Sequence, residues 1–185
     1  VREVGGENAN RFLGIPGYCT NADLTLKHME LPEDKAEGRL MVAVHFYDPH
    51  EYTLTGKYSE WGYTAASGKK ESWGDEDNVR NVFGQLREKY VDQGIPVYIG
   101  EMGCVHRNNT RAESFRKYYL EYVCKAARSY GMAPFYWDNG AKGAGNESSG
   151  LFDHATGEYL NNAKEIVAVM TKAIFTEDEN YTLST

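Results

Sequence analysis

Apolar residues along the chain change their period several times, and each change marks an element. Leu40-Met-Val-Ala-Val-His-Phe46 is a continuous apolar run. Continuity predicts a strand covered on both faces, because a half-exposed strand alternates instead. Ile95, Val97 and Ile99 form a β-branched run that ends in Gly100-Glu-Met-Gly103. Met132 to Trp137 and the shorter Phe12 to Gly17 read as two further strands bounded by turn residues. Between these runs the period becomes helical. Val79, Val82, Phe83, Leu86 and Tyr90 share one helix face behind Asp75-Glu-Asp77, acids that the helix dipole favours in a first turn. Phe115, Tyr118, Tyr119, Tyr122, Val123 and Ala126 form a second stripe, expected to be core. It follows Thr110-Arg-Ala-Glu113, which fits a capping box. Leu160, Ala163, Ile166, Val167, Met170 and Ile174 predict a last amphipathic helix.

Three stretches lack a period. Residues 21–38 are mixed and acidic, with room for a short helix, and 138–157 are glycine-rich. Residues 48–74 form a long aromatic loop with Tyr52, Tyr58, Trp61, Tyr63 and Trp73, and loops of that length tend to be functional. The resulting order of strands and helices predicts an α/β fold with a parallel sheet and right-handed crossovers. Four such units amount to half of a (β/α)8 barrel. Residues 1–175 are assigned to this half barrel and 176–185 to a polar, loose C-terminal tail.

Composition narrows the partners. The chain has 185 residues, one domain's worth, with a formal net charge of −7. That sign argues against nucleic acid or an anionic membrane surface. No run of 18 apolar residues is present to span a membrane, and residues 1–20 lack a signal-peptide pattern. The start at Val1 reads as a processed or shortened product. Three cysteines, Cys19, Cys104 and Cys124, are an odd number at no metal spacing and are expected to be buried free thiols.

Candidate chemistry gathers where strands end, since the carboxyl edge of a parallel sheet is where such folds carry their sites. One strand ends in His45-Phe-Tyr47, the next in Glu101, and the last in Trp137-Asp-Asn-Gly140. His45 and Tyr47 are two apart and share a face. A carboxylate, a phenol and an indole on one rim suit a glycosidase, which needs a carboxylate pair and an aromatic platform for the sugar. A hydroxyl beside the carboxylate would hold it ionised. The plainer reading of Glu101 is a cap for the next helix. His45, Asp48 and His50 could bind a metal, but no other strand completes the set. Gly140-Ala-Lys-Gly-Ala-Gly145 matches neither a phosphate loop nor a dinucleotide fingerprint, and no serine stands in a nucleophile elbow.

His45-Phe-Tyr47, Ile99-Gly-Glu-Met-Gly103, Tyr136-Trp-Asp-Asn-Gly140 and Gly150-Leu-Phe-Asp153, in that order, resemble the second half of a family 5 glycoside hydrolase. The similarity runs from about Arg2 to Phe175. It implies barrel strands five to eight and hydrolysis of β-1,4-glucan by a retaining endoglucanase mechanism, without cofactor or metal. It implies Glu101 as nucleophile, His45 and Tyr47 beside it with Tyr47 bonded to Glu101, and Trp137 as the sugar platform. Trp61 and Asn139 are further expected sugar contacts. A secreted or cell-surface location follows from the same resemblance. The family's acid/base glutamate, in an Asn-Glu-Pro motif, has no counterpart here, and Glu7 and Glu60 are loop acids with no pattern behind them. Two unpaired sheet edges predict self-association into a homodimer or pairing with a missing N-terminal half barrel. A two-fold dimer would set the two Glu101 residues across the barrel and give weak activity. The alternative is a half barrel that binds β-glucan without cleaving it.

Overall fold

A computed structural model describes residues 1–183. Four strands, β1 (Leu13–Asn21), β2 (Leu40–Phe46), β3 (Val97–Met102) and β4 (Ala133–Tyr136), lie parallel and side by side in chain order. Helices α1 (Ala22–His28), α2 (His50–Thr53), α3 (Glu76–Lys89), α4 (Thr110–Ser129) and α5 (Ala163–Phe175) follow the strands, so the alternation read from periodicity is the alternation found.

The helices cover one face of the sheet. Val42, Val44 and Phe46 of β2 and Val97, Ile99 and Met102 of β3 are buried in one cluster with Val79, Val82, Phe83 and Leu86 of α3 and Tyr119, Leu120 and Val123 of α4. The Phe46 and Phe83 rings meet edge to face at 4.9 Å. Each such side chain, fully buried, contributes on the order of 1.5–3 kcal/mol. Tyr119, Tyr122, Val123 and Ala126 are core, as their spacing predicts.

The opposite face is open. Along β4 the alternation turns Ala133 and Phe135 outward while Pro134 and Tyr136 are half-buried. Phe135 is 56% exposed, and its ring touches only the edge of Tyr98 from β3, at 5.9 Å between centroids. The covered second face expected of β2 is therefore incomplete, because no second layer lies over this side among the described residues.

The buried Arg116 guanidinium is engaged from several sides. Arg116 is 1% exposed and donates from Nε to Cys104 O at 2.8 Å, with Glu113 at 3.2 Å. Burial disfavours its charge, but Tyr136, Glu113 and Cys104 outweigh that, and its pKa lies above the ordinary value. Glu113 also accepts from Asn162 Nδ2 at 2.7 Å and from the Arg107 amide at 2.5 Å. The expected capping box is accordingly displaced. Asn109 is the cap, its Oδ1 accepting from Ala112 N at 2.9 Å, and Glu113 is spent on this network.

Two expectations are corrected at the surface. Cys104 and Cys124 are buried free thiols, but Cys19 is exposed. It sits where β1 leaves its register with β2, in a stretch with Cys19 and Thr20 at φ of 51° and 52°. In the tail, Tyr181 is docked rather than loose. Its hydroxyl donates to Glu121, and Lys125 Nζ lies 3.6 Å from its ring centroid. The end of the tail, 184–185, lies outside the described residues. No helix among them is long and apolar enough to cross a membrane.

Candidate active site

Simple alternation along β3 would send Glu101 the wrong way. Val97 and Ile99 face the helices, so the residue two further on should face them too. It does not, because β3 carries one extra residue. Val44 pairs with Ile99, but the next pair is His45 with Glu101, and Gly100 is skipped. The other neighbour reports the same insertion, since Ile99 pairs with Pro134 and Met102 with Tyr136. Such a bulge re-aims the side chains that follow it. Met102 takes the helix-facing place and Glu101 turns to the open face. Gly100 suits the site because a Cβ there would stand 3.4 Å from the His45 ring, which closes on it. A glycine inside a strand is the available sequence signal for such a bulge.

His45 and Tyr47 continue the open-face row of β2 and both reach one oxygen of Glu101. Tyr47 donates its hydroxyl to Glu101 Oε2 at 3.0 Å. His45 Nδ1 lies 3.3 Å from the same oxygen. Burial first, and then the hydrogen bond to Glu101, push the Tyr47 phenol far above its usual pKa, so it remains a proton donor. Both contacts fall on Oε2 and neither on the other carboxylate oxygen, Oε1. The expected pairing of Tyr47 with Glu101 is present, and the helix-cap reading of Glu101 is displaced by Asn109.

Trp137 stands directly after β4 on the same open row. Its amide donates to Met102 O at 2.8 Å, fixing it beside the end of β3, and the residue is 51% exposed. The rim therefore holds Glu101, Tyr47, His45 and Trp137 together.

Two expected sugar contacts are elsewhere. Trp61 is 2% exposed and packs on Tyr118, Tyr119 and Tyr122, with ring centroids 5.0–5.6 Å away. Its Nε1 donates to Gly74 O at 2.6 Å, so it has no face to offer a ligand. Asn139 is turned into its own loop, with Nδ2 donating to Glu147 O at 2.6 Å and Oδ1 accepting from Ala141 N at 3.0 Å. Both outcomes follow from long-range or loop packing that residue type does not disclose.

Neither loop acid supplies a second carboxyl group at the rim. Glu60 is buried against Arg111, at 2.6 and 3.1 Å, and the guanidinium together with the Ala66 amide holds its pKa down to about 2. Glu7 lies exposed in an N-terminal turn. The metal set suggested by His45, Asp48 and His50 is dispersed, because His45 faces Glu101, Asp48 accepts from Asn78 at 3.1 Å, and His50 is exposed at the start of α2. The arrangement can thus present an oriented carboxylate next to an aromatic surface.

Comparison with known proteins agrees with this chemistry. The family model "Cellulase (glycosyl hydrolase family 5)" matches residues 1–143. The chain is 33% identical over 158 residues to Endoglucanase A of Paenibacillus barcinonensis, which covers 77% of this chain and 40% of that protein. It superimposes on a GH5-4 broad specificity endoglucanase from Bacteroides salanitronis with a TM-score of 0.92 and 60% identity, over 95% of this chain and 47% of that one. A Bacteroides ovatus GH5 xyloglucanase in complex with a XXXG heptasaccharide gives a TM-score of 0.82 at 29% identity, covering 94% and 38%. The chain thus spans less than half the length of each of these relatives. By sequence and by fold, it belongs to glycosyl hydrolase family 5, the cellulase family.

Proposed function

We propose that the chain provides strands five to eight of a (β/α)8 barrel and, with them, the nucleophile of a retaining β-1,4-glucan hydrolase. The observation that carries this reading is Glu101, turned by the Gly100 bulge onto the open rim with Oε2 held by Tyr47 and His45. With Oε2 engaged, Oε1 attacks the anomeric carbon of the sugar lying on Trp137. The bond from that carbon to the glycosidic oxygen breaks, and a second carboxyl group protonates the departing oxygen. Water then displaces Glu101 from the glycosyl-enzyme, giving its proton to the same group. Retaining geometry sets the two carboxyls about 5–5.5 Å apart, and this second group is assigned to the half of the barrel that covers the open face. The endoglucanase and xyloglucanase names of the relatives support a β-glucan substrate.

The test is hydrolysis of carboxymethyl cellulose by the chain alone and by the chain mixed with the part of the Bacteroides salanitronis enzyme that it does not cover. Little turnover alone, and turnover recovered on mixing, is expected. A folded complex that stays inactive rejects the reading. Light scattering on the chain alone asks whether two copies close the open face, giving a particle of twice 20.9 kDa. Tyr47→Phe, in the active assembly, should lower kcat/KM by about 10²-fold through loss of one preorganised donor, without unfolding the protein. An unchanged rate would remove Tyr47 from the mechanism.

A further inference from the structure

The glycine-rich loop after β4 is closed at a narrow neck. Asp138 Oδ1 accepts from Gly140 N at 3.0 Å and, 13 residues further on, from Leu151 N at 2.9 Å. Gly150 packs on the other side of the neck, where a Cβ would lie 2.6 Å from Ala141 O. Gly140 has φ +67°, and a Cβ there would meet the His154 ring at 2.8 Å. Within this neck stands Asn139, half-buried, which begins the one Asn-Gly pair in the sequence.

Asn-Gly is the pair in which an asparagine is chemically least durable, because glycine has no side chain to hinder its amide nitrogen. Once hydroxide has taken its proton, that nitrogen can attack Cγ of the asparagine. The Cγ–Nδ2 bond breaks, and the nitrogen takes a proton from water and leaves as ammonia. A cyclic succinimide remains. Water opens it at either carbonyl, to aspartate or isoaspartate, so one water is consumed for each ammonia released. In the folded chain the atoms this needs are all held. The Gly140 N–H points at the Asp138 carboxylate, whose charge opposes loss of the amide proton. Asn139 Oδ1 accepts from Ala141 N at 3.0 Å, and Nδ2 donates to Glu147 O at 2.6 Å. Glu147 N in turn donates to Leu54 O at 2.9 Å, which ties the loop to the end of α2.

We propose that Asn139-Gly140 is a deamidation site guarded by Asp138, and that it reacts only when the neck of this loop opens. The product sets a carboxylate oxygen against the Glu147 carbonyl, where the amide had donated, so a loop that has reacted cannot close in the same way. The loop begins at Trp137, whose carbonyl accepts from Ser149 Oγ at 3.4 Å. Reaction at Asn139 therefore loosens that tryptophan.

The test incubates the folded chain, and the same chain unfolded in urea, at mildly alkaline pH, with tryptic mass spectrometry at intervals. Trypsin cuts after Arg128 and Lys142, giving a peptide in which Asn139 is the one amide side chain. Conversion should be roughly a hundredfold slower in the folded chain, since the bonds of Gly140 N, Asn139 Oδ1 and Asn139 Nδ2 must open together. Asp138→Ala should speed it roughly tenfold in the folded state, a thermal melt showing that the variant is folded. Asn139→Asp, which imitates one product, should move the Trp137 indole N–H signal of the ¹⁵N-labelled chain and leave that of buried Trp61 in place. Equal rates in the folded and unfolded parent would overturn the guarded site, whatever the variants do. A folded Asp138→Ala chain that reacts as slowly as the parent would remove Asp138 as the guard, and an unmoved Trp137 signal would reject the loosening.

Discussion

Replacing Glu101 with glutamine is expected to cut hydrolysis of carboxymethyl cellulose by at least about 10⁴-fold in the active assembly, the scale of removing a catalytic nucleophile. Glutamine has the same shape, fits beside Gly100, and can still accept from Tyr47, so folding and sugar binding should persist. What it loses, in the proposed mechanism, is the carboxylate oxygen that attacks the anomeric carbon. The loss should fall on kcat and leave KM little changed, because the proposed role of Glu101 is on the reacting carbon and not on the flanking sugars. In a Glu101→Ala variant, which vacates the space of the carboxylate, external azide should restore turnover of an activated glycoside and give a glycosyl azide of inverted configuration. A Glu101→Gln enzyme within a factor of ten of the parent would end the nucleophile assignment.

The second large effect concerns stability. Arg116→Ala should destabilise the fold by about 3–5 kcal/mol, because it leaves Glu113 and the Cys104 carbonyl buried without their cation. At roughly 2–4 °C per kcal/mol for a chain of this size, the melting temperature should fall by about 6–20 °C. Lys117→Ala removes an ion pair with Glu165 whose side chains are 43% and 67% exposed, and should cost no more than about 1 kcal/mol. Thermal melts of the two variants beside the parent decide the matter. Equal, small shifts would mean that the Arg116 network contributes nothing beyond its surface counterpart.

Much of the architecture is legible in the sequence because burial imposes a period. The run from Leu40 to Phe46 and the stripe from Phe115 to Ala126 could each pack in essentially one way. Site residues at strand ends are legible for the same reason, as a parallel sheet brings its ends to one rim. What escapes the sequence is decided by distant partners. Trp61 looks like a loop aromatic until Tyr118, Tyr119 and Tyr122 surround it. Trp73, twelve positions on by the numbering, stays in solvent because Gly74 and Pro49 occupy the space beneath it. Cys19 is outside because β1 loses register there, which no local propensity announces. Asn109 outcompetes Thr110 as the helix cap once Glu113 is drawn to Arg107, Arg116 and Asn162.

The skipped residue in β3 also bears on how this site could change over generations. Glu101 reaches the rim by position in a count, and the chemistry of its neighbours does not decide which side it takes. A point substitution at Gly100 alters the fit against His45 but keeps that count. Removing Gly100 would leave strict alternation with Glu101 still on the open face, whereas inserting one more residue between Ile99 and Glu101 would turn the carboxylate toward the helices. Lineages of this chain should therefore tolerate a change of residue in the bulge, or its loss, more readily than a bulge longer by one residue.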